Sequence, residues 1–194
     1  MNRKQQGFTL MEMVGVVAVI AILASIATPM IFDAIRNAKV SAVVQDVNTL
    51  KTAVARYYAD TGDYPFYRPT GTNDGQRQLL VNRNRSNNGD VPGWSGPYIE
   101  TELENRITTG AFMEVNRSNG QWACDVDRDG NTDGNYVYLR MDNVDDETAE
   151  RISQTIDGDG GQITGNDAWF SAGLVRRPNA NQSSGSLSIC LMRM

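Results

Sequence analysis

Acidic side chains recur at short intervals between residues 125 and 133, in the sequence Asp-Val-Asp-Arg-Asp-Gly-Asn-Thr-Asp. The acids fall at positions 1, 3, 5 and 9 of this stretch, a glycine falls at position 6, and position 7 offers a backbone carbonyl. This spacing matches the oxygen-rich start of an EF-hand-like calcium loop. The candidate ligands are Asp125, Asp127, Asp129, Asn131 and Asp133. Because crowded carboxylates repel one another unless a cation neutralises them, the pattern predicts that this loop binds calcium.

The same stretch departs from a complete calcium loop. Position 12 is Tyr136, where a bidentate acid is expected, and the flanking residues have the pattern of strands and not of helices. Missing oxygens would have to come from Asp142, Asp145 or Asp146. A solvated acidic turn without metal is the alternative interpretation. The Asp-Gly-rich stretch at residues 157–161 is a weaker second candidate.

A chemically different carboxylate, Glu12, lies near the start of an apolar run that continues to Ala27. At 1.5 Å per residue, Phe8 to Ala27 makes a helix of about 30 Å, which matches the hydrocarbon thickness of a membrane. A charge at that depth costs roughly 2.5 to 3.5 kcal/mol, so an acid inside a span indicates a functional site with a partner. A secretory signal peptide cleaved after Ala27 is the competing interpretation, but its apolar region should carry no acid.

The composition limits the classes of function. The chain has no histidine, so the commonest general base and zinc ligand are both absent, and no nucleophile constellation is recognisable. The sequence therefore predicts a protein that is not an enzyme. Its formal net charge of −5 argues against nonspecific binding of nucleic acid, which needs clustered Lys and Arg.

The elements that must position these residues follow from periodicity. After Pro29, which is expected to kink or loosen the helix, apolar residues recur at helical spacing as far as Tyr57. They are Ile31, Ile35, Ala38, Val43, Val47, Leu50, Val54 and Tyr57. The charged residues expected mostly on the other side are Asp33, Arg36, Lys39, Asp46, Lys51 and Arg56. One long helix, apolar first and amphipathic afterwards, is predicted from Phe8 to about Ala59, with Gly62 as a left-handed cap.

The remainder of the chain has the pattern of an antiparallel sheet that packs on this helix, which gives an α+β fold. A polar, arginine-containing loop is expected at residues 69–92, with its arginines solvated or touching a neighbouring head. Short strands are predicted at residues 111–115, 121–124, 136–141, 168–171 and 186–191, with a short helix and an Asp-Gly turn within residues 144–165.

Residues 4–12, Lys-Gln-Gln-Gly-Phe-Thr-Leu-Met-Glu, resemble the class III signal of type IV pilins and of type II secretion pseudopilins. The resemblance implies that a prepilin peptidase cuts after Gly7 and methylates Phe8. It also implies that Glu12 is the assembly residue, which the freed amine of Phe8 in a neighbouring subunit would meet. Residues 93–98, Gly-Trp-Ser-Gly-Pro-Tyr, resemble a pseudopilin signature, although the major-pseudopilin pattern is not found beyond them.

This resemblance defines the expected organisation: a leader at residues 1–7, a transmembrane and filament-core helix at 8–28, an amphipathic helix at 29–60 and a globular head at 61–194. Arg3 and Lys4 precede the span, which orients the N-terminus toward the cytoplasm and the head outside the inner membrane. The implied partners are other copies in a helical filament, the peptidase and methylase, minor pilins or pseudopilins, an inner-membrane assembly platform and a cytoplasmic ATPase. A membrane-anchored, calcium-dependent binding module is the alternative function.

The two cysteines, Cys124 and Cys190, both fall in the region predicted to lie outside the cytoplasm. An oxidising compartment favours one disulfide between them, which would fasten the C-terminal strand to the middle of the head. Two buried free thiols are the alternative.

Overall fold

A computed structural model describes residues 8–65, 74–82, 90–107, 113–118, 124–126, 134–158, 173–176 and 184–194. By its internal contacts the chain divides into two units between Ala38 and Lys39. The elements in chain order are α1 (Leu10–Thr61), α2 (Asp74–Leu80), β1 (Glu114–Ser118), β2 (Tyr136–Asp145), α3 (Asp146–Asp157), β3 (Val175–Arg176) and β4 (Ser184–Arg193).

The predicted long helix is confirmed as α1, which is assigned without interruption through Pro29. It ends as the sequence predicts. Gly62 takes the left-handed conformation at φ 71°, and its backbone N–H donates to the Tyr58 carbonyl at 2.9 Å. A residue with a side chain is strained in that conformation, whereas glycine adopts it freely. The kink expected at Pro29 stays a prediction.

In the second unit, the buried face of α1 packs on the sheet. This face consists of Val40, Val43, Asp46, Val47, Leu50, Ala53, Val54 and Tyr57. Two expectations about the face were wrong. Ile31, Ile35 and Ala38 are exposed, because the buried face of α1 begins only at Val40. Asp46 lies among the buried residues and not on the polar side.

The four strands form one antiparallel sheet in the order β1-β2-β4-β3. The register places Val115, Leu139, Ile189 and Val175 in one row across all four strands, and all four side chains are fully buried. Successive residues of a strand point to opposite faces, so Glu114, Arg140, Ser188 and Arg176 form the corresponding row on the other face. The apolar row belongs to the same core as the buried residues of α1, which confirms the α+β fold of the head.

The strands predicted at residues 136–141 and 186–191 are confirmed within β2 and β4. β2 extends further than predicted at its C-terminal end, and β4 extends further at both ends. Residues 111–115 overlap β1, and the predicted short helix is α3. Most of the stretch 121–124 and all of 168–171 lie outside the described residues. The prediction of a loop over residues 69–92 was wrong for the part that forms α2. This helix forms because Leu79 and the amide of Gln76 are buried in the head.

Candidate assembly site

The start of α1 is a reciprocal capping box made by Thr9 and Glu12. The backbone N–H of Thr9 donates to Glu12 Oε2 at 2.8 Å, and the backbone N–H of Glu12 donates to Thr9 Oγ1 at 3.2 Å. The Thr9 hydroxyl also donates to Glu12 Oε2 at 2.8 Å. The first N–H groups of a helix have no partner within the helix, and this arrangement satisfies two of them. The box therefore fixes where the helix begins and holds the Glu12 carboxylate beside it.

The sequence singles out Phe8 and Glu12; Glu12 lies in the first turn of α1, and Phe8 lies two residues before the helix begins. Phe8 is 86% exposed and Glu12 is exposed as well. Gly7 lies outside the described residues. Nothing in the described chain covers this end of the helix, so both residues are accessible to another molecule.

The apolar part of α1 is exposed along its length. The exposed large apolar side chains include Leu10, Met11, Val14, Val17, Ile20, Leu23, Ile26, Met30 and Phe32. Among the described residues, α1 is the one helix long and apolar enough to cross a membrane, judged by length and composition. Exposed apolar area of this extent is unfavourable in water, so the segment requires lipid or other protein around it.

Asp46 on the buried face of α1 is explained by Arg106. The guanidinium donates from Nε to Asp46 Oδ2 at 2.5 Å and from Nη2 to Oδ1 at 3.2 Å, which is a bidentate pair. The Asp46 residue is only 6% exposed. A carboxylate is tolerated in such a place when its charge and its lone pairs are both satisfied.

The end of α1 is held by the Trp-Ser-Gly-Pro-Tyr stretch. Asp60 accepts hydrogen bonds from Ser95 Oγ and from the Tyr98 hydroxyl, and these bonds hold the pKa of Asp60 below its ordinary value. The Tyr98 ring meets those of Tyr57 and Trp94 edge to face, with centroids 5.6 and 5.7 Å apart. Trp94 and Tyr98 pack against the core and so anchor this loop on it.

The predicted disulfide between Cys124 and Cys190 is present, with its Cα atoms 6.3 Å apart. Both cysteines are buried with Tyr136 and Tyr138 on the face of the sheet opposite to α1. Burial, followed by the nearby negative charge of Glu114, raises the pKa of Tyr138 to about 12. The disulfide therefore joins the central strand β4 to the segment that carries Asp125.

Of the predicted calcium ligands, Asp125 alone lies in the described part of the chain; Asp127, Asp129, Asn131 and Asp133 lie outside it. Asp125 is 1% exposed, and its backbone pairs with Gly173 beside β3. Burial lowers the pKa of Arg176, and attraction to Asp125 opposes that shift, so Asp125 has a cationic protein neighbour. No group of three or more acidic, cysteine or histidine side chains suited to a metal is found among the described residues. Calcium binding stays a prediction.

The arginines of the predicted polar loop are placed only in part. Arg77 in α2 pairs with Glu102 at 3.2 Å, while Arg68, Arg83 and Arg85 lie outside the described residues. Sequence reasoning also missed Thr9 and Arg106. The Thr-x-x-Glu spacing was a readable signal for the capping box. No local signal could have linked Arg106 to Asp46, because the two are 60 residues apart.

These features define a class of protein: one that has an α+β head and an exposed apolar helical segment with an acid in its first turn. Residues 2–28 match the prokaryotic N-terminal methylation motif, and residues 34–121 match the family described as PilW, C-terminal. The fimbrial protein EcpB of Eikenella corrodens is 30% identical over 140 residues, which cover 64% of this chain and 87% of that protein. A fimbrial protein of Neisseria meningitidis is 30% identical, over 61% of this chain and 62% of that protein.

A type IV major pilin protein, PilE1 of Neisseria gonorrhoeae, is 39% identical over 37% of this chain and 33% of its own length. The structure of the major type IV pilin PilA1 from Clostridium difficile aligns with a TM-score of 0.44 and 17% identity, over 82% of this chain and 98% of that one. The chain belongs to the type IV pilin family, and it is a structural subunit of a pilus or pseudopilus.

Proposed function

We propose that this chain is a type IV pilus subunit that is cut after Gly7, methylated on the new N-terminal Phe8, and assembled through Glu12. The observation that carries the proposal is that Phe8 directly precedes α1 and Glu12 lies in the first turn of that helix, both exposed. The match of residues 2–28 to the methylation motif supports the processing step. The fimbrial relatives and the disulfide-containing head favour a type IV pilus over a secretion pseudopilus.

The capping box leaves part of the Glu12 carboxylate available for a second subunit. Oε2 accepts both hydrogen bonds from Thr9, whereas within the described residues Oε1 accepts none. A charged amine donates strongly to a carboxylate, and cleavage would create such an amine at Phe8. We infer that Thr9 holds the carboxylate in cis while the amine of a neighbouring Phe8 reaches it in trans.

The energetics of this pair favour a defined stagger between subunits. In the apolar surroundings of a membrane or a helix bundle, an isolated carboxylate or ammonium is costly, and the pair removes much of that cost. Neighbouring helices displaced along their axes would leave both charges unpaired. The pair therefore sets register, while close packing of the exposed apolar side chains supplies contact area.

The same sequence features support a route to the filament. Arg3 and Lys4 before the span favour a cytoplasmic N-terminus, so the head would lie in the periplasm while subunits wait in the inner membrane. A prepilin peptidase and methylase, an assembly platform with a cytoplasmic ATPase, and minor pilins complete the proposed set of partners. The relatives support a structural role for the chain and not a catalytic one.

Substitution of Glu12 tests the assembly role. In Glu12→Ala the carboxylate is lost, so we expect normal membrane insertion and a normal head but no filaments. Thr28→Val is the matched control, because Thr28 is also a polar residue of the span but its hydroxyl donates to the Ala24 carbonyl of its own helix at 2.6 Å. Membrane fractionation, thermal melting of the head and electron microscopy of sheared filaments give the three readouts. Normal filaments from Glu12→Ala would refute the role of Glu12.

A further inference from the structure

Residues 103–107, here called the strap, contact α1, α2 and the sheet. Leu103 exchanges hydrogen bonds with the side-chain amide of Gln76 in α2, donating to Oε1 at 2.7 Å and accepting from Nε2 at 3.3 Å. Its carbonyl also accepts from the backbone N–H of Met113, at the start of β1, at 3.3 Å. One end of the strap is therefore fixed to α2 and to the edge of the sheet.

The other end of the strap reaches the helix and the sheet through two consecutive residues. Asn105 is buried, and its side-chain amide donates to the backbone carbonyl of Asp142 in β2 at 3.1 Å. Arg106 forms the bidentate pair with Asp46 of α1. Adjacent side chains thus hold the strap to β2 and to α1, the two elements between which the core lies.

The contact between Arg106 and Asp46 differs from the apolar contacts around it. Val43, Val47 and Leu50 are buried in the core, and the free energy of burying apolar side chains does not depend on a bond direction. The Asp46 side chain is 8% exposed and that of Arg106 is 50% exposed, so a rotation of the helix that breaks their bidentate pair leaves the guanidinium in water but leaves the buried carboxylate without its partner. Such a pair contributes little net stability compared with apolar residues of the same size, but it can select one arrangement.

We propose that Asp46 and Arg106 form an orientation lock, which fixes the head in one rotational setting on residues 39–61 of α1 so that every subunit presents the same head surfaces to the next copy of the chain. The inference rests on the proposed filament function. Asp46 is in this sense a positioning residue. In a helical filament each head makes the same contacts as the head before it, which requires the same rotational setting of the head in every subunit. The lock supplies that setting.

The test replaces the pair by apolar residues of similar size, as Asp46→Leu with Arg106→Met, in the full-length chain. Since the stability of the head comes mainly from its apolar core, its Tm should stay within about 4 °C of the wild type or rise. Filaments should be lost, or should lose the layer lines of their helical diffraction. The matched control, Glu147→Gln with Arg151→Gln, removes an exposed pair on α3 that is 2.9 Å apart and should leave both readouts unchanged.

A second variant, Asp46→Asn with Arg106→Gln, keeps the shape of Asp46 and a neutral polar side chain at position 106, and it decides the matter if the apolar pair does not fold. Neutral side chains tolerate misalignment, so its filaments should also lose helical order while the Tm is kept. Wild-type layer lines in either folded variant would overturn the lock, and so would a large loss of Tm in both variants. Failure of the proposed function would show itself differently, as an absence of filaments from the wild-type chain.

Discussion

At the scale of single residues, the surroundings of each carboxylate decide what it does. Glu12 is held by Thr9 at an exposed helix start, and Asp46 is buried against Arg106. Glu114 is different again, because it lies on the sheet face opposite to α1, 3.7 Å from Arg140, which also pairs with Asp142 at 2.9 Å. Arg140 thus pairs with both Glu114 and Asp142.

Glu114 should make the stability of the head depend on pH. Burial raises the pKa of Glu114 above its ordinary 4.5, Arg140 opposes the shift, and Asp142 adds to it. The folded head therefore binds this proton more tightly than the unfolded chain, so its contribution is fully present below pH 4.5 and is lost as pH rises through the higher folded pKa. We expect the Tm of Glu114→Gln, relative to the wild type, to be higher at pH 7 than at pH 4.

Thermal melting at the two pH values checks this expectation. Glu147→Gln is the control, since it removes the same charge from an exposed position on α3. The explanation fails if the difference in Tm between Glu114→Gln and the wild type is the same at pH 4 and pH 7. Tyr138, whose pKa is raised to about 12, stays neutral between pH 4 and pH 7 and so does not contribute to the pH dependence of the Tm.

At the scale of elements, the structure differs most from the sequence-based expectation at α2. A short helix within a Gly-, Asn- and Arg-rich stretch has no periodic signal, and α2 forms because Leu79 and Gln76 are buried by distant parts of the chain. β3 was not predicted for the same reason. It has only two residues, and the Asp157 carboxylate holds it by accepting from the backbone N–H of the preceding residue, Leu174, at 2.9 Å. Long, periodic elements such as α1 and β2 were predictable because their signals are local.

Substitution of Gln76 tests whether α2 depends on its buried amide. Gln76 Nε2 donates to the carbonyls of Leu103 and Met113, and Oε1 accepts from Leu103 N. In Gln76→Leu the N–H of Leu103 and the carbonyl of Met113 lose this partner, at a cost of about 1 to 3 kcal/mol for each group left unsatisfied. Urea denaturation should show a lower midpoint for Gln76→Leu than for the wild type. Equal midpoints would contradict the role given to Gln76.

The disulfide should stabilise the head by restricting the unfolded chain. Cys124 and Cys190 are 66 residues apart, and a loop of that length corresponds to about 4 kcal/mol in the entropy model. We therefore expect Cys124→Ala with Cys190→Ala to lower the free energy of unfolding by about this amount. Denaturation of the wild type and the variant under non-reducing conditions measures it, and an unchanged free energy of unfolding would show that the cross-link contributes nothing.

At the scale of the whole molecule, the sequence was most informative at the N-terminus and least informative in the head. A charged side chain is costly in lipid unless another protein group pairs with it. An acid within an apolar run therefore indicates a partner, and so assembly. In the head, the partners of Asp46 and Asp60 come from residues 106, 95 and 98, far along the chain. Such pairings depend on topology, which no local pattern encodes.

The central claim is that the mature chain is a filament subunit that begins at Phe8. The intact mass of the protein extracted from membranes or filaments tests it most directly. We predict a mass that corresponds to residues 8–194 with one added methyl group and one disulfide. The claim would be contradicted by the mass of a chain that begins after Ala27, or by assembled material whose mass still includes residues 1–7.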